Sequence, residues 1–395
     1  MDVPAAAVAI KYSIWSSYVD YLYNYAGGFI RRGLTGEILF FITNITGIPP
    51  LVTSYALSII GYIIVAWFTI ARFRKHGYAL NVLIMGFMLG GILVLSVDCW
   101  RRDYILMAVF IGIMSSYKRL STTRWVVLGN ICAVVSILLH EASFFFIVPV
   151  CVLVTNIRLN NIIKSVVAWI PSVAAFLLCC HYKGTPETLA AVCGPISEYA
   201  PEVMADGETP YLLSFIGLDA EWVLRLHIKY NFIQPFSRYL PIPAVFFTLF
   251  YFLYIPYVTV CMIKVFNRNG LDCMRQISLV SLILFQFIML LPMFTLLSCD
   301  ILRVGMYWMI SSVVVWLVLD DREIGVMFPT RFNSVSGKIS AWCFNRWLPG
   351  KMVLTLCMLF IGVTGYSRTA TGILYCSPMG TLALIAKKTL GILVH

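Results

Sequence analysis

Residues 125–156 read WVVLGNICAVVSILLHEASFFFIVPVCVLVTN, two apolar runs separated by His140 and Glu141. A helix that crosses the hydrocarbon core of a bilayer needs about 20 mostly apolar residues. The runs at 125–139 and 142–156 together exceed the length of one such helix. We therefore predict two helices that turn back at the His-Glu pair, and this stretch indicates an all-α protein built from transmembrane helices.

The composition of the chain also indicates a membrane protein. Of its 395 residues, 60% are hydrophobic and 12% are charged, and the mean hydropathy is +0.87, whereas a soluble domain carries about 25% charged residues. The net charge of +11 is explained by Lys and Arg in cytoplasmic loops, where membrane proteins concentrate them. We therefore expect membrane lipid and not nucleic acid as a partner, and a single membrane domain over residues 1–395.

Long apolar runs recur along the chain and predict a polytopic bundle of about 10–13 transmembrane helices. The clear spans are 51–71, 79–97, 162–180, 241–263, 276–298, 302–319 and 351–367. Shorter runs and the two ends of the chain would supply the others, namely 3–16, 34–48, 104–116, 125–139, 142–156 and 381–394.

Basic residues between these spans predict the orientation of the bundle. Five clusters of Lys and Arg fall on one side, which the positive-inside rule makes cytoplasmic. These clusters lie within 72–75, 118–124, 158–164, 264–275 and 322–346. The segment 181–240 then faces outward, and it has more acidic than basic residues and no long apolar run. We predict that it is a periplasmic loop containing short helices.

Four groups of charged residues lie outside the cytoplasmic loops. Because an ionisable side chain is costly near a bilayer, each group is a functional candidate. In the predicted topology all four groups lie at the outer membrane surface, so we expect them to form one site. The groups are Arg31, Arg32 and Glu37; Asp98, Arg101, Arg102 and Asp103; His140 and Glu141; and Asp300 and Arg303.

The arginines of these groups predict phosphate binding. A guanidinium group binds phosphate oxygens through two parallel hydrogen bonds and keeps its charge. An outward arginine cluster therefore suits a lipid-linked phosphate or pyrophosphate. The alternative is that each arginine reaches the lipid headgroups or pairs with a neighbouring acid. The predicted pyrophosphate-binding residues are Arg31, Arg32, Arg101, Arg102 and Arg303.

The acids and the histidine predict a general base. A carboxylate in a partly dry cleft can have its pKa raised towards the working range of a base, and a histidine beside it can share the proton. The competing interpretation of Glu141 is a buried ion pair with an arginine across the bundle. The candidate catalytic residues are Glu141, His140, Asp98 and Asp103. The sequence has no metal-ligand spacing, P-loop or dinucleotide-binding motif, and we expect no cofactor.

Aromatic residues make up 14% of the chain and are frequent in the first outward segment. Interfacial belts of Trp and Tyr explain most of this enrichment. Stacking on the apolar faces of sugar rings is the alternative.

Three segments carry a resemblance to a known family: GGFIRRGLTGEI at 27–38, DCWRRD at 98–103 and LLHEASFF at 138–145. With its one long outward loop, the chain resembles the bacterial O-antigen and capsular polysaccharide polymerases of the Wzy class. The resemblance implies an inner-membrane enzyme that transfers undecaprenyl-pyrophosphate-linked glycan onto a lipid-linked repeat unit at the periplasmic face. It implies arginines that hold the pyrophosphates, an acid or histidine that activates the acceptor hydroxyl, and a chain-length regulator as a partner.

Other functions remain open. A GT-C-type glycosyltransferase that uses a polyprenyl-phosphate sugar would have an acidic residue in the first outward loop, where Asp20 or Glu37 could serve. A ligase that joins glycan to a lipid core shares the same chemistry. A transporter or flippase for lipid-linked sugars would show two related halves and charges near the membrane midplane, and the sequence shows neither feature.

Overall fold

The structure is a computed structural model. It describes residues 18–77, 102–182, 184–204, 217, 220–233, 244–267, 271–298, 301–360, 379 and 386. These residues form helices and no β-strand, which confirms the all-α prediction. Several predicted features lie outside the described residues: the spans at 3–16 and 79–97, nearly all of the span at 381–394, and Asp98, Arg101 and Asp300.

The chain divides into two compact units. The first contains Met1–Val65 and Val97–Asp219, and the second contains Ala66–Ser96 and Ala220–His395. The single membrane domain predicted from the sequence stays a prediction.

The first unit contains residues 125–156, the two apolar runs from which we predicted transmembrane helices. The predicted turn at 140–141 is confirmed, because one helix ends at Leu139 and the next begins at Ser143. The helices associated with this unit are α1 (Leu34–Thr46), α2 (Pro50–Lys75), α3 (Asp103–Ser116), α4 (Thr122–Leu139), α5 (Ser143–Leu159), α6 (Ile162–Val167), α7 (Ile170–His181), α8 (Pro186–Tyr199) and α9 (Pro201–Met204).

Helices α3, α4 and α5 run in alternating directions, so that Arg158 lies at one end of the three helices and Arg102 and Glu141 lie at the other. Arg158 near the end of α5 donates hydrogen bonds to the main-chain oxygens of Tyr117 and Leu120, between α3 and α4. These oxygens belong to carbonyl groups that the end of a helix leaves without a partner. Arg102 and Glu141 lie at the opposite ends of these helices. The two sets of charges therefore lie at opposite ends of the three helices, as the predicted topology requires.

The predicted span 162–180 differs from the structure, which has two short helices there, α6 and α7. Pro171 lies in the first turn of α7 and has no N–H with which to continue a preceding helix. Asn130 of α4 donates to the main-chain oxygen of Ala168 at 2.8 Å and accepts a hydrogen bond from the Ser172 hydroxyl at 2.8 Å. One buried amide thus supplies polar partners at the break.

Helix α8 is part of the core of the first unit. Val192 and Ile196 are buried among the residues that precede α1, together with Phe40 of α1. The ring of Tyr199 stacks on the ring of Phe40 with 4.9 Å between centroids. The predicted loop 181–240 is therefore divided, since its first helices belong to the first unit and residues from 220 onward belong to the second. Its periplasmic location stays a prediction.

The second unit is built around α12 and α13. The indole nitrogen of Trp308 on α13 donates to the main-chain oxygen of Ile283 on α12 at 2.6 Å. Its helices are α10 (Ala220–His227), α11 (Ala244–Val265), α12 (Cys273–Pro292), α13 (Ile301–Val318), α14 (Asp321–Met327), α15 (Thr330–Ser340) and α16 (Lys351–Phe360), with π-helical turns at Ile228–Ile233, Met293–Leu297 and Ala341–Asn345.

Three helical segments among the described residues are long and apolar enough to cross a membrane. They are Pro50–Lys75, Thr122–Leu139 and Cys273–Leu297. Shorter apolar helices accompany them, among them α1, α3, α5 and α7. These helices are those of a membrane protein, whereas the number of 10–13 spans stays a prediction.

Candidate functional site

Three of the four charged groups that we predicted to form one site come together in the first unit. The first group lies in the loop before α1 and in α1, the second at the start of α3, and the third in the turn between α4 and α5. Arg303 of the fourth group lies near the start of α13 in the second unit. The remaining predicted residues, Asp98, Arg101 and Asp300, lie outside the described residues.

Arg32 and Glu141 form the central ion pair of the site. Arg32 Nε lies 2.8 Å from Glu141 Oε2, and Arg32 Nη2 lies 2.5 Å from Glu141 Oε1. This bidentate arrangement is the strongest geometry available to an arginine and a carboxylate. Arg31 Nη1 lies 3.9 Å from the same Oε1 atom. The geometry fits the buried ion pair that was the alternative interpretation of Glu141.

The protonation of Glu141 follows from this pairing. Burial by itself would raise the pKa of Glu141, but the positive charge of Arg32 and its hydrogen bonds outweigh burial and hold that pKa well below its usual range. A carboxylate with a lowered pKa has little affinity for a proton and is a weak general base. In this state Glu141 is better suited to holding the Arg32 guanidinium in place.

The backbone of Arg32 is strained. Its φ angle is +67°, in the left-handed region that residues other than glycine rarely occupy. A conformation of this kind costs about 1–3 kcal/mol and is maintained only where the surroundings demand it. The ion pair with Glu141 is one contact that maintains this conformation, and it fixes the side chain of Arg32 at the turn between α4 and α5.

Arg102 is the most deeply buried arginine of the site, with 2% of its surface exposed. Its Nη1 atom donates to the main-chain oxygen of Leu139 at 2.7 Å and to the Thr35 hydroxyl at 2.9 Å. Its Nη2 atom lies 3.8 Å from Asp20 Oδ1, and Arg32 Nη1 lies 3.9 Å from the same oxygen. Asp20 Oδ1 therefore lies within ion-pair range of two guanidinium groups, at distances longer than a hydrogen bond.

These contacts define the arginine cluster: Arg31, Arg32, Arg102, Asp20 and Glu141. Among the described residues, its ion pairs join three arginines to two carboxylates. Buried charge is costly unless it is paired. Three guanidinium groups that converge in this way are suited to bind an anion with several oxygens.

His140 and Asp103 are the other candidate catalytic residues within the described part of the chain. The main-chain N–H of Ala142 donates to His140 Nδ1 at 3.2 Å, and this nitrogen lies 3.6 Å from Glu141 Oε2. Because Nδ1 accepts a hydrogen bond, a neutral His140 ring carries its proton on Nε2. Asp103 is buried in the first turn of α3.

Three aromatic rings form a partly exposed surface, and two of them, Tyr25 and Phe29, lie shortly before Arg31 in the sequence. The rings of Tyr25 and Phe29 stack with 5.5 Å between centroids, and the edge of Tyr182 meets Phe29 at 5.5 Å. Phe29 and Tyr182 are 36% and 46% exposed. Glu37 accepts a hydrogen bond from the main-chain N–H of Tyr25 at 2.7 Å. Glu37 thereby anchors the loop that carries these rings.

Two glycines allow this loop to lie close against α1. The N–H of Gly36 donates to the main-chain oxygen of Tyr23 at 2.8 Å, and a Cβ atom at this position would lie 2.3 Å from that oxygen. Gly28 has a φ of +97°, which a side chain would strain. The loop before α1 therefore depends on glycine at both positions.

Asp20 is the residue to which sequence reasoning gave too little weight. It was considered only for the alternative glycosyltransferase, because nothing near it in the sequence pairs with it. Its arginine neighbours come from two separate segments, the loop before α1 and the start of α3. The available signal was an acid within an otherwise aromatic and apolar segment, YVDYLYNY at 18–25.

No protein-family model matches this chain, and no curated protein or solved structure matches it. The resemblance to polysaccharide polymerases therefore stays a prediction. Within the part of the chain that the structure describes, no group of three or more His, Cys, Asp or Glu side chains is placed to hold a metal ion.

Proposed function

We propose that this chain is a glycosyltransferase of the bacterial inner membrane that polymerises lipid-linked repeat units at the periplasmic face. Its donor is an undecaprenyl-pyrophosphate-linked glycan, and its acceptor is a lipid-linked repeat unit. We also propose that the protein has a chain-length regulator as a partner. One observation carries it: three guanidinium groups, those of Arg31, Arg32 and Arg102, converge around two carboxylates in a largely buried setting. Converging guanidinium groups bind the oxygens of a pyrophosphate, which a neutral sugar lacks.

The reaction breaks the bond between the anomeric carbon of the donor and its pyrophosphate oxygen. A bond forms between the same carbon and a hydroxyl oxygen of the acceptor, whose proton passes to a base. Negative charge then develops on the departing pyrophosphate, and fixed guanidinium groups lower the energy of that state. In this proposal Arg31, Arg32 and Arg102 supply the positive charge, and Arg303 and Arg101 stay predicted contributors.

Asp20 links pyrophosphate binding to proton transfer. Its Oδ1 atom lies 3.8–3.9 Å from two guanidinium groups, a position that a pyrophosphate oxygen would compete for. When the pyrophosphate takes over these partners, Asp20 loses the positive charges that stabilise its ionised form. We propose that Asp20 then accepts the proton of the acceptor hydroxyl. His140, Asp98 and Asp103 stay the alternative bases, while Glu141 positions Arg32.

The placement of Asp20 also favours a second candidate function. A GT-C-type glycosyltransferase would use an acid from the first outward segment and a polyprenyl-monophosphate donor. Asp20 lies in that segment and within ion-pair range of Arg32 and Arg102. The two candidates differ in product, because a polymerase lengthens a finished repeat unit and a single-sugar transferase completes one.

Complementation of a strain that lacks the gene tests the proposal. The surface glycan would be separated by size, and the lipid-linked intermediates would be analysed by mass. The variants are Arg31→Gln and Asp20→Asn. Arg225→Gln is the matched control, because Arg225 pairs with Glu221 on an exposed helix surface outside the arginine cluster. Membrane levels of each variant are measured first.

A polymerase predicts that both cluster variants leave a single complete repeat unit, while the control keeps the full ladder of glycan lengths. An incomplete repeat unit that lacks one sugar would instead favour the single-sugar transferase. A full ladder from both variants at normal membrane levels would refute a role of the arginine cluster in glycan transfer.

A further inference from the structure

A large apolar groove opens on the second unit and does not depend on the proposed function. Its volume is about 820 Å³, within the range of roughly 300–1,000 Å³ typical of ligand sites. Phe287 of α12 and Trp308 of α13 line it together with Tyr254 and Tyr257 of α11. The π-helical turn Ala341–Asn345 and the residues beside it complete the lining.

The wall formed by the π-helical turn is held against α11. Phe344 stacks on Tyr257 with 5.8 Å between ring centroids, and the Tyr257 hydroxyl donates to the main-chain oxygen of Trp347. Trp342, on the same turn, is 62% exposed. The contacts of Phe344 and Tyr257 therefore hold this wall in place. Its aromatic side chains fit hydrocarbon chains better than a polar ligand.

Three basic residues adjoin lining residues by contact or along the chain, and we call them the rim of the groove: Lys264, Arg346 and Lys351. Lys264 at the end of α11 donates to the main-chain oxygen of Phe344 at 3.0 Å and also to the side chain of Asn345. Arg346 directly precedes the lining residue Trp347, and Lys351 follows Trp347 by four positions. Both side chains are exposed. Among the described residues neither forms an ion pair, and residues 324–360 contain no Asp or Glu. An anion at this rim would meet no competing carboxylate from that segment.

The two halves of this surface specify one kind of ligand. Aromatic walls bind acyl chains, and a cationic rim binds a phosphate that carries net negative charge. Lys264 and Arg346 belong to clusters predicted to be cytoplasmic, and Lys351 begins the predicted span that follows the second of them. The cytoplasmic leaflet carries anionic lipids, and each basic residue near them contributes about 1 kcal/mol of attraction. We propose that the groove is a binding site for one anionic phospholipid, with its phosphate at Arg346 and Lys351 and its acyl chains against Phe287 and Trp308.

Lipid titration of the purified full-length protein tests the site. Native mass spectrometry would compare phosphatidylglycerol with phosphatidylcholine carrying the same acyl chains. We expect tighter binding of phosphatidylglycerol, and a loss of about fivefold for each of Arg346→Gln and Lys351→Gln, as ~1 kcal/mol per charge implies. Binding of phosphatidylcholine should stay unchanged, and Arg346→Lys should retain the preference because it keeps the charge.

Two further variants locate the site. Cys343→Phe replaces a small side chain of the groove lining with an aromatic ring and should weaken the binding of both lipids. Arg331→Gln removes an equally exposed charge near the start of α15, eight residues and about 12 Å of helix from the lining residue Ile339, and should change neither. Equal binding of the two lipids would overturn the proposal. So would an effect of Arg331→Gln that matches that of Arg346→Gln, or full binding by correctly folded Cys343→Phe.

Discussion

Replacement of Glu141 by Gln tests whether the Arg32–Glu141 pair holds the first unit together. The substitution keeps the size of the side chain but removes its charge. Arg32 then keeps only its longer ion pair with Asp20 at 3.9 Å, and Arg31 loses a carboxylate at the same distance. Removing one partner of a buried pair costs about 3–5 kcal/mol. Because 17% of the Glu141 side chain is exposed, we expect about 3 kcal/mol.

The assay is unfolding of the purified protein in detergent, with Arg32→Gln and the double variant measured beside Glu141→Gln. If the pair is direct, the double variant loses less free energy than the sum of the single losses, by about 1–3 kcal/mol. Additive losses would refute a direct pair. A loss below about 0.5 kcal/mol for Glu141→Gln would refute the central role of the pair, because surface substitutions cause changes of that size.

The pH dependence provides an independent test of the same pair. The pKa of Glu141 is lowered in the folded protein, so its contribution is present at every pH above the unfolded value of about 4.3 and is lost as the pH falls through the folded value. Because His140 lies 3.6 Å from Glu141 and histidine changes charge in this range, the comparison is made with His140→Gln in both proteins. The difference that Glu141→Gln causes should then be equal at pH 8 and pH 6. A difference that shrinks between these pH values would contradict the lowered pKa.

Two further predictions concern packing and hydrogen bonding in the first unit, both measured by unfolding in detergent. Gly36→Ala should destabilise the protein by several kcal/mol because the new Cβ would lie 2.3 Å from a main-chain oxygen. Gly112→Ala places its Cβ in open space and should stabilise the protein by up to ~1 kcal/mol. Equal effects of the two substitutions would contradict the close approach at Gly36. Asn130→Ala should cost about 1–3 kcal/mol because the buried Ser172 hydroxyl loses its acceptor and the main-chain oxygen of Ala168 loses its side-chain donor. A loss no larger than that of the exposed Val127→Ala on the same helix would contradict this role.

Hydropathy located most helices because they depend on local composition. The break between α4 and α5 was predictable, since two adjacent polar residues, His140 and Glu141, interrupt a run that is otherwise apolar. The break between α6 and α7 was missed because the flanking residues are as apolar as those of a continuous span. Pro171 was a usable local signal, but the Asn130 side chain that satisfies the break lies 38 positions before Ala168 in the sequence.

The members of the site were easier to predict than their roles. Charged residues beside apolar spans are conspicuous, and three of the four groups do lie together. Pairing across distant segments is not visible in one sequence, so Glu141 was a candidate base although Arg32 occupies both of its oxygens. Asp20 became a leading candidate only through its distances to Arg32 and Arg102. The number of membrane spans depends in part on segments outside the described residues.

The Arg32–Glu141 pair joins residues that are 109 positions apart in the chain, and this separation has a consequence for biogenesis. At roughly 5–20 residues per second, the ribosome makes Glu141 about 5–20 s after Arg32. During that interval Arg32 lacks its partner, and an unpaired charge does not enter the hydrocarbon core readily. The N-terminal loop must therefore stay in contact with water or with the insertion machinery until α4 has been made. Assembly of the cluster thus waits for the turn between α4 and α5, and a chain truncated before residue 141 should expose this loop to added protease.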